Sequence, residues 1–277
     1  MKRNVTNRIA LVSLAVTAVL AGAARAAPPP PATERLTFMG GGVDWDGAED
    51  GGGGSIGWLH NFSSGAIFGL AAEHQRLGDT KWTFGTLSLA SGFGSAERRS
   101  NVYLEVRGGN GDEPAHSFTY ATYVVGLVQN VTHQLAFQLE DKQIDINRTH
   151  GNLPRVGVQF LWSPKLLTQV SYARSTSMDP GSLGTKLWTA RADYYGKWAN
   201  LIVGGATGQA SPIVFQEGTT VRIPETGLTA HEGYLGVTKQ FSRVDITLMG
   251  DYLKLGDFKR KMVTLNGAIY LNGSAIR

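Results

Sequence analysis

The histidines are the first residues to consider for chemistry, because a histidine beside a carboxylate can act as a general acid or base. Two pairs could do so, His231 with Glu232 and His150 with Asp145, but neither is accompanied by a recognisable nucleophile. The sequence contains no G-x-S-x-G, H-E-x-x-H or phosphate-binding loop, and its histidines lack metal-ligand spacing. We therefore predict no catalytic residue, no metal site and no cofactor. The histidines occur singly at His60, His74, His116, His133, His150 and His231.

A second group with possible function consists of charged, amide and phenolic side chains at every other position of short segments. Gln138 and Glu140 alternate with Phe137 and Leu139, for example. Arg191 and Asp193 likewise alternate with alanines. Such alternation is typical of a β-strand with two different faces. The sequence predicts that the following residues lie on the polar face of their strands: Glu73, Tyr103, Glu105, Arg107, Gln138, Glu140, Lys142, Arg155, Gln159, Arg191, Asp193, Tyr195, Asp245, Asp251 and Tyr270.

The elements that must position these residues follow a regular pattern of turns. Short turn-like clusters occur at 61–65, 91–100, 130–133, 163–165, 196–200 and 241–243. Longer polar connections are predicted between them, at 46–54, 76–80, 108–115, 145–154, 175–185, 208–232 and 255–261. Short turns at one end and longer loops at the other are typical of an antiparallel transmembrane β-barrel. We predict an all-β barrel of about 14 strands over residues 33–277, with twelve strands as the alternative count.

The N-terminus indicates export. Basic residues precede the apolar run 9–22, and Ala24-Arg25-Ala26 has the small-x-small pattern of a cleavage site. We predict a signal peptide over 1–26 and a proline-rich leader over 27–32; a retained transmembrane helix is disfavoured because the apolar run is short. Removing the four basic residues of the signal peptide from the total of 26 leaves 22, against 22 acidic residues. A neutral mature chain gives no reason to expect nucleic-acid binding.

The environment of the apolar face distinguishes a barrel from a soluble sandwich. In a sandwich the apolar face points inward, whereas in a membrane barrel it meets lipid and the charges line the lumen. Aromatic residues near strand ends favour the barrel, because they suit the membrane interface. They are Trp58, Phe62, Trp82, Phe84, Trp162, Trp198, Phe241 and Tyr252. A secreted β-sandwich or a periplasmic barrel remains the alternative.

Two stretches carry a resemblance to a known family. "QLEDKQIDINRTHGNLPRVGVQFLWSPKLLTQVSYARS", from Gln138 to Ser175, resembles the central hairpins of YaiO-type outer-membrane barrels, as does "PETGLTAHEGYLGVTKQFSRVDITLMGDYLKLGDF", from Pro224 to Phe258. The resemblance rests on strand and turn layout. It implies an outer-membrane barrel of undetermined activity, with some relatives associated with polysaccharide production. The usual terminal aromatic is missing, since the chain ends Ile276-Arg277.

The predicted function is that of a pore or export channel in the bacterial outer membrane, for a polysaccharide or another hydrophilic solute. Charges facing lipid are costly, so the polar face should line a wet or internally paired lumen. The long connection 208–232 carries apolar residues between two prolines. We expect Ile213, Phe215 and Arg222 either to form a constriction at the mouth or to belong to a β-extension above the membrane. A closed structural or surface-interaction barrel is the alternative, and a barrel enzyme the third. Expected partners are outer-membrane lipid, the barrel-assembly machinery during biogenesis and a polysaccharide, but no nucleic acid.

Overall fold

The computed structural model describes residues 33–46, 50–77, 79–95, 98–112, 117–146, 149–175, 177–179, 185–210 and 228–272. The predicted signal peptide, the proline-rich leader and the constriction residues Ile213, Phe215 and Arg222 lie outside these residues. Among the described residues no helix has the length and apolar character needed to cross a membrane.

Every regular element in the described ranges is a strand. The strands are β1 (Thr33–Trp45), β2 (Gly51–Asn61), β3 (Ile67–Leu77), β4 (Thr80–Phe93), β5 (Ser100–Asp112), β6 (Ser117–Asn130), β7 (Leu135–Ile146), β8 (Thr149–Ser163), β9 (Leu166–Arg174), β10 (Ser177–Asp179), β11 (Lys186–Tyr195), β12 (Asn200–Ala210), β13 (Leu228–Gln240), β14 (Val244–Leu255) and β15 (Phe258–Tyr270).

The strands form one closed antiparallel barrel. Neighbours in sequence are neighbours in the sheet, and pairing of β1 with β15 closes the ring. The short strand β10 continues β9 along β8, so the fifteen segments make fourteen barrel strands. The prediction of an all-β barrel with fourteen strands is confirmed, and the count of twelve is wrong. The first residues of β1 and the last residues of β15 lie at the same edge of the barrel, which we call the terminal end.

The outer face of the barrel is apolar over most of its height. Outward side chains such as Ile56, Leu139 and Val263 are 63%, 53% and 58% exposed, which is the reverse of a soluble core. Inward side chains at neighbouring positions, such as Glu73 and Gln138, are 5% and 7% exposed. A belt of exposed apolar residues around a polar interior is the pattern of a membrane-spanning barrel.

The pattern reverses at the end opposite the termini. There Trp82 points inward between the exposed residues Lys81 and Thr83, and Leu253 points inward beside the exposed Lys254. We call these strand segments, which are polar outside and apolar inside, the mouth section. The segments between it and the terminal turns form the membrane section. The barrel wall therefore continues beyond the lipid-facing belt.

Several connections predicted as loops belong to this continued wall. β7 runs to Ile146 and β8 begins at Thr149, so most of the predicted loop 145–154 is strand. The predicted loops 76–80 and 255–261 are likewise reduced to residues 78–79 and 256–257. The expectation of longer loops at every hairpin of this end was wrong, because residues that are polar on the outer face here belong to strands that extend above the belt.

The first hairpin contains a ladder of paired glycines. Gly40, Gly41 and Gly42 of β1 pair with Gly54, Gly53 and Gly52 of β2, respectively. The run 51–54, which lies within the predicted connection 46–54, is therefore strand. At Gly41 an added Cβ would lie 2.7 Å from the carbonyl oxygen of Val263 on β15, so the backbones approach too closely for any side chain. We call these three pairs the glycine ladder.

Candidate functional site: the interior of the barrel

The strand registers place all fifteen predicted lumen residues on the inner face. Each is joined by direct cross-strand partners on that face, for example Arg107 with Thr86 and Glu140 with Arg155. Hydrogen bonds between alternate strands, such as β3 with β5, also require a common inner face. These fifteen residues do not form one site, however. They are distributed over several separate networks at different positions around the wall.

Arg107 of β5 is the centre of the first network. Its Nη2 donates to Oε2 of Glu73 on β3 at 2.8 Å, and both side chains are almost completely buried. Gln75 also donates to Glu73, and the guanidinium lies 4.3 Å from the centre of the Phe84 ring. A buried arginine held by a carboxylate and an aromatic face is compensated in charge. The ion pair of Arg107 with Glu73 joins β5 to β3 on the inner face.

The second network joins side chains on the inner face of four strands through a chain of hydrogen bonds. Gln169 of β9 donates to Gln138 of β7 at 2.6 Å, and Gln138 donates to the Tyr103 hydroxyl of β5 at 3.1 Å. Tyr103 in turn donates to Glu140 at 2.6 Å, and Glu140 lies 3.1 Å from Nη1 of Arg155 on β8. The amides and the phenol therefore bind each other along the inner face of the wall, from β5 to β9. We call this chain the amide ladder.

Two further arginines are paired on the opposite wall. Arg260 of β15 donates to Asp251 at 3.1 and 2.5 Å and contacts Glu232 at 3.4 Å. Arg191 of β11 donates to both oxygens of Asp193, at 2.8 and 2.6 Å. The pair of Arg191 and Asp193 joins two predicted lumen residues. Arg260 was not predicted, and Glu232 was considered only as a partner of His231. The alternating pattern could not identify Arg260, because it lies between Lys259 and Lys261.

A smaller network lies near the terminal end. The Tyr270 hydroxyl donates to Asp245 at 2.9 Å and accepts from Arg35 at 3.4 Å. With this group, five arginines of the inner face have a polar or ionic partner: Arg35, Arg107, Arg155, Arg191 and Arg260. The inner face of the barrel therefore carries many charges, and their fields largely cancel within short pairs.

The mouth section contains a cluster of inward apolar side chains that the sequence did not predict. We call it the mouth cluster, and its members are 0% to 8% exposed. Trp82 and Phe84, which were expected in the membrane-interface girdle, point inward here and are 1% and 2% exposed. The described members are Val43, Trp82, Phe84, Tyr120, Ile144, Leu153, Ala173, Leu187, Ala206, Ala210, Ala230, Leu253, Leu255 and Met262.

A recess lies against the wall made by β1 to β5. Its volume is about 90 Å³, and small inner-face residues such as Gly69, Ala71 and Ser88 line it together with Leu59 and Ile67. Three other hydroxyls and one carboxylate also line the recess, from Thr37, Ser55, Thr86 and Glu105. Its wall is therefore mainly apolar, with hydrogen-bonding groups at intervals. An engineered apolar cavity of about 150 Å³ binds benzene, which indicates the size of molecule that a recess of this kind can hold.

The two predicted acid and base pairs differ in their geometry. His231 faces outward and contacts the Thr207 hydroxyl at 3.0 Å, whereas Glu232 faces inward, so the two side chains lie on opposite sides of the wall. His150 does contact Asp145, on the outer side of the β7–β8 hairpin. Within the described ranges no group of three or more His, Asp or Glu side chains is arranged to hold a metal ion.

Comparison with known proteins gives matches by structure only. No protein-family model and no curated protein matches the chain. The CymD monoaromatic hydrocarbon channel is similar in structure, with a TM-score of 0.59 and 8% identity over 96% of this chain and 94% of its own. A Pseudomonas aeruginosa FadL homologue has a TM-score of 0.56 and 10% identity, covering 89% of this chain and 93% of its own.

The Pseudomonas putida toluene transporter TodX is also similar, with a TM-score of 0.53 and 7% identity over 96% of this chain and 95% of its own. Identities this low show the fold alone. The chain therefore has the barrel fold of outer-membrane channels, along nearly its whole length and that of each matched protein.

Proposed function

We propose that this protein is an outer-membrane channel that admits small, weakly polar or apolar organic molecules and excludes ions. The mouth cluster carries this proposal. Its fourteen described side chains line the inner face where the outer face is polar. A solute that enters through this end must pass these apolar side chains, which lie beside paired charges such as Arg260 with Glu232.

An apolar constriction excludes ions because water leaves it and the ion would lose its hydration. The charges beside and below the mouth cluster do not form a ring of one sign, since Arg107, Arg191 and Arg260 are each held by a carboxylate. The interior therefore lacks the uniform lining of charge that attracts counter-ions in ion-selective pores. A neutral molecule has no ionic hydration shell to lose and needs no charged lining to attract it.

The recess beside β1 to β5 supports a mainly apolar solute. A recess of about 90 Å³ with a mainly apolar wall suits a small organic group that carries at most one or two hydrogen-bonding groups. Two structural relatives, a toluene transporter and a monoaromatic hydrocarbon channel, are consistent with an apolar solute. Their fold likeness supports the class of molecule without identifying it.

Polysaccharide export, the hypothesis from the sequence and its YaiO-type resemblance, remains the second candidate. The amide ladder favours it, because amides and phenols suit hydroxyl-rich chains. In this structure those groups bind one another, and Gln138 is only 7% exposed, so a sugar would have to displace them. Under either proposal the terminal end faces the periplasm, and the signal peptide over 1–26 is removed on export.

Two measurements test the proposal. In a planar bilayer we expect no steady ion current from the wild type, and current from Leu253→Asn, because a polar group would hydrate the mouth cluster. Thr207→Asn, on the outer face of the mouth section, is the matched control and should not conduct. Steady current through the wild type would show that the mouth cluster is not a barrier to ions and would contradict the proposal.

The second measurement concerns the solute. Uptake of radiolabelled toluene and of maltohexaose is compared in Gram-negative cells that lack hydrocarbon channels of their own and express this chain. Faster uptake of toluene alone supports the proposal. Uptake of the sugar alone would favour the polysaccharide hypothesis. No uptake of either, by protein shown to be folded in the outer membrane, would favour the closed structural barrel.

A further inference from the structure

The terminal end carries a repeated pairing of an exposed aromatic residue with an exposed cation. It occurs on the three successive turns β8–β9, β11–β12 and β13–β14, whose strands are adjacent in the barrel. The aromatic residues are 62%, 78% and 47% exposed, and the cations are exposed as well. The pairs are Trp162 with Lys165, Trp198 with Lys197, and Phe241 with Arg243. We call these six residues the basic arc.

Local contacts hold the two tryptophans of the arc in place. The Trp162 indole donates to the Thr168 hydroxyl at 2.9 Å, which holds the ring on the outer surface. Lys239 Nζ donates to the Trp198 carbonyl at 2.7 Å and lies 5.6 Å from the centre of its ring, so a fourth cation supports the middle turn. Strands lie about 4.8 Å apart, so successive turns are separated by about 10 Å along the rim.

The cations of the arc differ from those at the other end of the barrel in their partners. In the mouth section Lys261 lies 3.6 Å from Asp44, and Lys259 lies 3.7 Å from Asp46. Among the residues that the structure describes, Lys165, Lys197 and Arg243 form no ion pair. Exposed cations without carboxylates, beside aromatic side chains at the edge of the apolar belt, are available to an external anion.

The pairing is also restricted in its position around the rim. The turns 62–66 and 131–134 expose Phe62 and Val131 but contain no lysine or arginine. One more pair, Phe93 with Arg98, occurs on the β4–β5 turn, separated from the arc by the β6–β7 turn. The positive charge is therefore concentrated on the side formed by β8 to β14.

We propose that the basic arc binds the phosphate groups of anionic phospholipids in the leaflet that meets the terminal end. Aromatic residues settle at the level of the headgroups, which places the neighbouring cations within reach of lipid phosphates. Each basic residue close to an anionic membrane surface contributes about 1 kcal/mol to binding, so several on one arc favour anionic over zwitterionic lipid. The arc thereby selects the lipids that surround this side of the barrel, independently of any solute in the lumen.

The test is tryptophan fluorescence quenching by brominated lipids. The full mature chain is folded into vesicles that contain either brominated phosphatidylglycerol or brominated phosphatidylcholine, each in an unlabelled phosphatidylcholine background. The arc contains two of the reporters, Trp162 and Trp198. We expect binding at the quenched sites to favour phosphatidylglycerol by roughly threefold to fivefold, and salt to reduce this preference, because charges are screened over about 10 Å at 0.1 M.

A matched pair of triple variants locates the effect. Lys165→Gln, Lys197→Gln and Arg243→Gln together should reduce the preference to about onefold, because the cations of the arc are removed. Lys254→Gln, Lys259→Gln and Lys261→Gln together change the net charge equally at the mouth section and should leave the preference unchanged. Heat-dependent migration on a denaturing gel confirms that each variant is folded.

Three results would overturn the proposal: equal quenching by the two lipids in the wild type, an unchanged preference in the arc variant, or the same loss in the mouth variant. The first would direct attention to a soluble acidic partner for the arc. None of these results bears on solute passage, which is measured separately by ion current and uptake.

Discussion

The mouth section and the membrane section of this barrel are made by the same strands but have opposite arrangements of polarity. Along β14 the outward side chains change from Leu248 to Lys254, while the inward ones change from Asp251 to Leu253 and Leu255. The mouth section has the pattern of a water-soluble barrel with an apolar core. The membrane section has the reverse pattern, because its outer face meets lipid.

This difference shows that a strand has no fixed apolar face along its whole length. The surroundings at each level decide which side chains are stable on which face: lipid stabilises Leu248 on the outside, and water stabilises Lys254 there. The interior compensates in each case. It holds its buried charges in pairs, such as Arg260 with Asp251, and it packs apolar side chains chiefly where the outer face is hydrated.

The largest effect is expected from breaking a buried charge pair on the inner face of the barrel. Arg107→Met removes the partner of Glu73 and leaves a buried carboxylate uncompensated, which should cost about 3 to 5 kcal/mol of unfolding free energy. Guanidinium unfolding in phospholipid vesicles measures this loss. Adding Glu73→Gln to the same chain should recover much of it. A loss below about 1 kcal/mol would show that the interior solvates the free carboxylate.

The second largest effect is expected from placing a cation on the outer face, where the cost in unfolding free energy should differ between the two sections. Leu248→Arg, on the lipid-facing belt, should cost about 2 to 4 kcal/mol of unfolding free energy near the middle of the bilayer. Gln209→Arg, on the outer face of the mouth section, is the matched change and should stay within about 0.5 kcal/mol. The same unfolding measurement serves for both. Equal costs at the two positions would place the edge of the membrane elsewhere.

The smallest effect is expected on the hydrated outside of the mouth section. Lys261→Gln breaks the exposed pair with Asp44, and such pairs contribute roughly 0 to 1 kcal/mol. We expect this small contribution to disappear in 1 M salt, whereas the cost of Arg107→Met should be nearly independent of salt. A cost above about 2 kcal/mol for Lys261→Gln would mean that this face is shielded from water.

The sequence predicted the membrane section well, because one rule, apolar outside and polar inside, holds along its strands. Segments such as 135–140 and 244–251 follow that rule, and from them the fold class and the number of strands could be derived. The fifteen polar positions were assigned to one face for the same reason, and their registers place them there.

The mouth section could not be predicted by that rule because its polarity is reversed. Polar outward residues such as Asp145 and His150 suggested a loop, although they belong to β7 and β8. Trp82 and Phe84 suggested a membrane girdle, and the alternation in β4 seemed to change phase between them and Leu87. The register shows no such change: Trp82, Phe84 and Thr86 all face inward, and only the chemistry of the interior differs with height.

The glycine ladder has a consequence for the assembly of the barrel. Along three consecutive pairs of β1 and β2 no side chain on either face distinguishes one register from another. Correct alignment there depends on flanking pairs such as Leu36 with Trp58, and on β15, which contacts Gly41 closely. Since β15 is the last strand to be synthesised, we expect the first hairpin of the chain to acquire its unique pairing only when the ring closes.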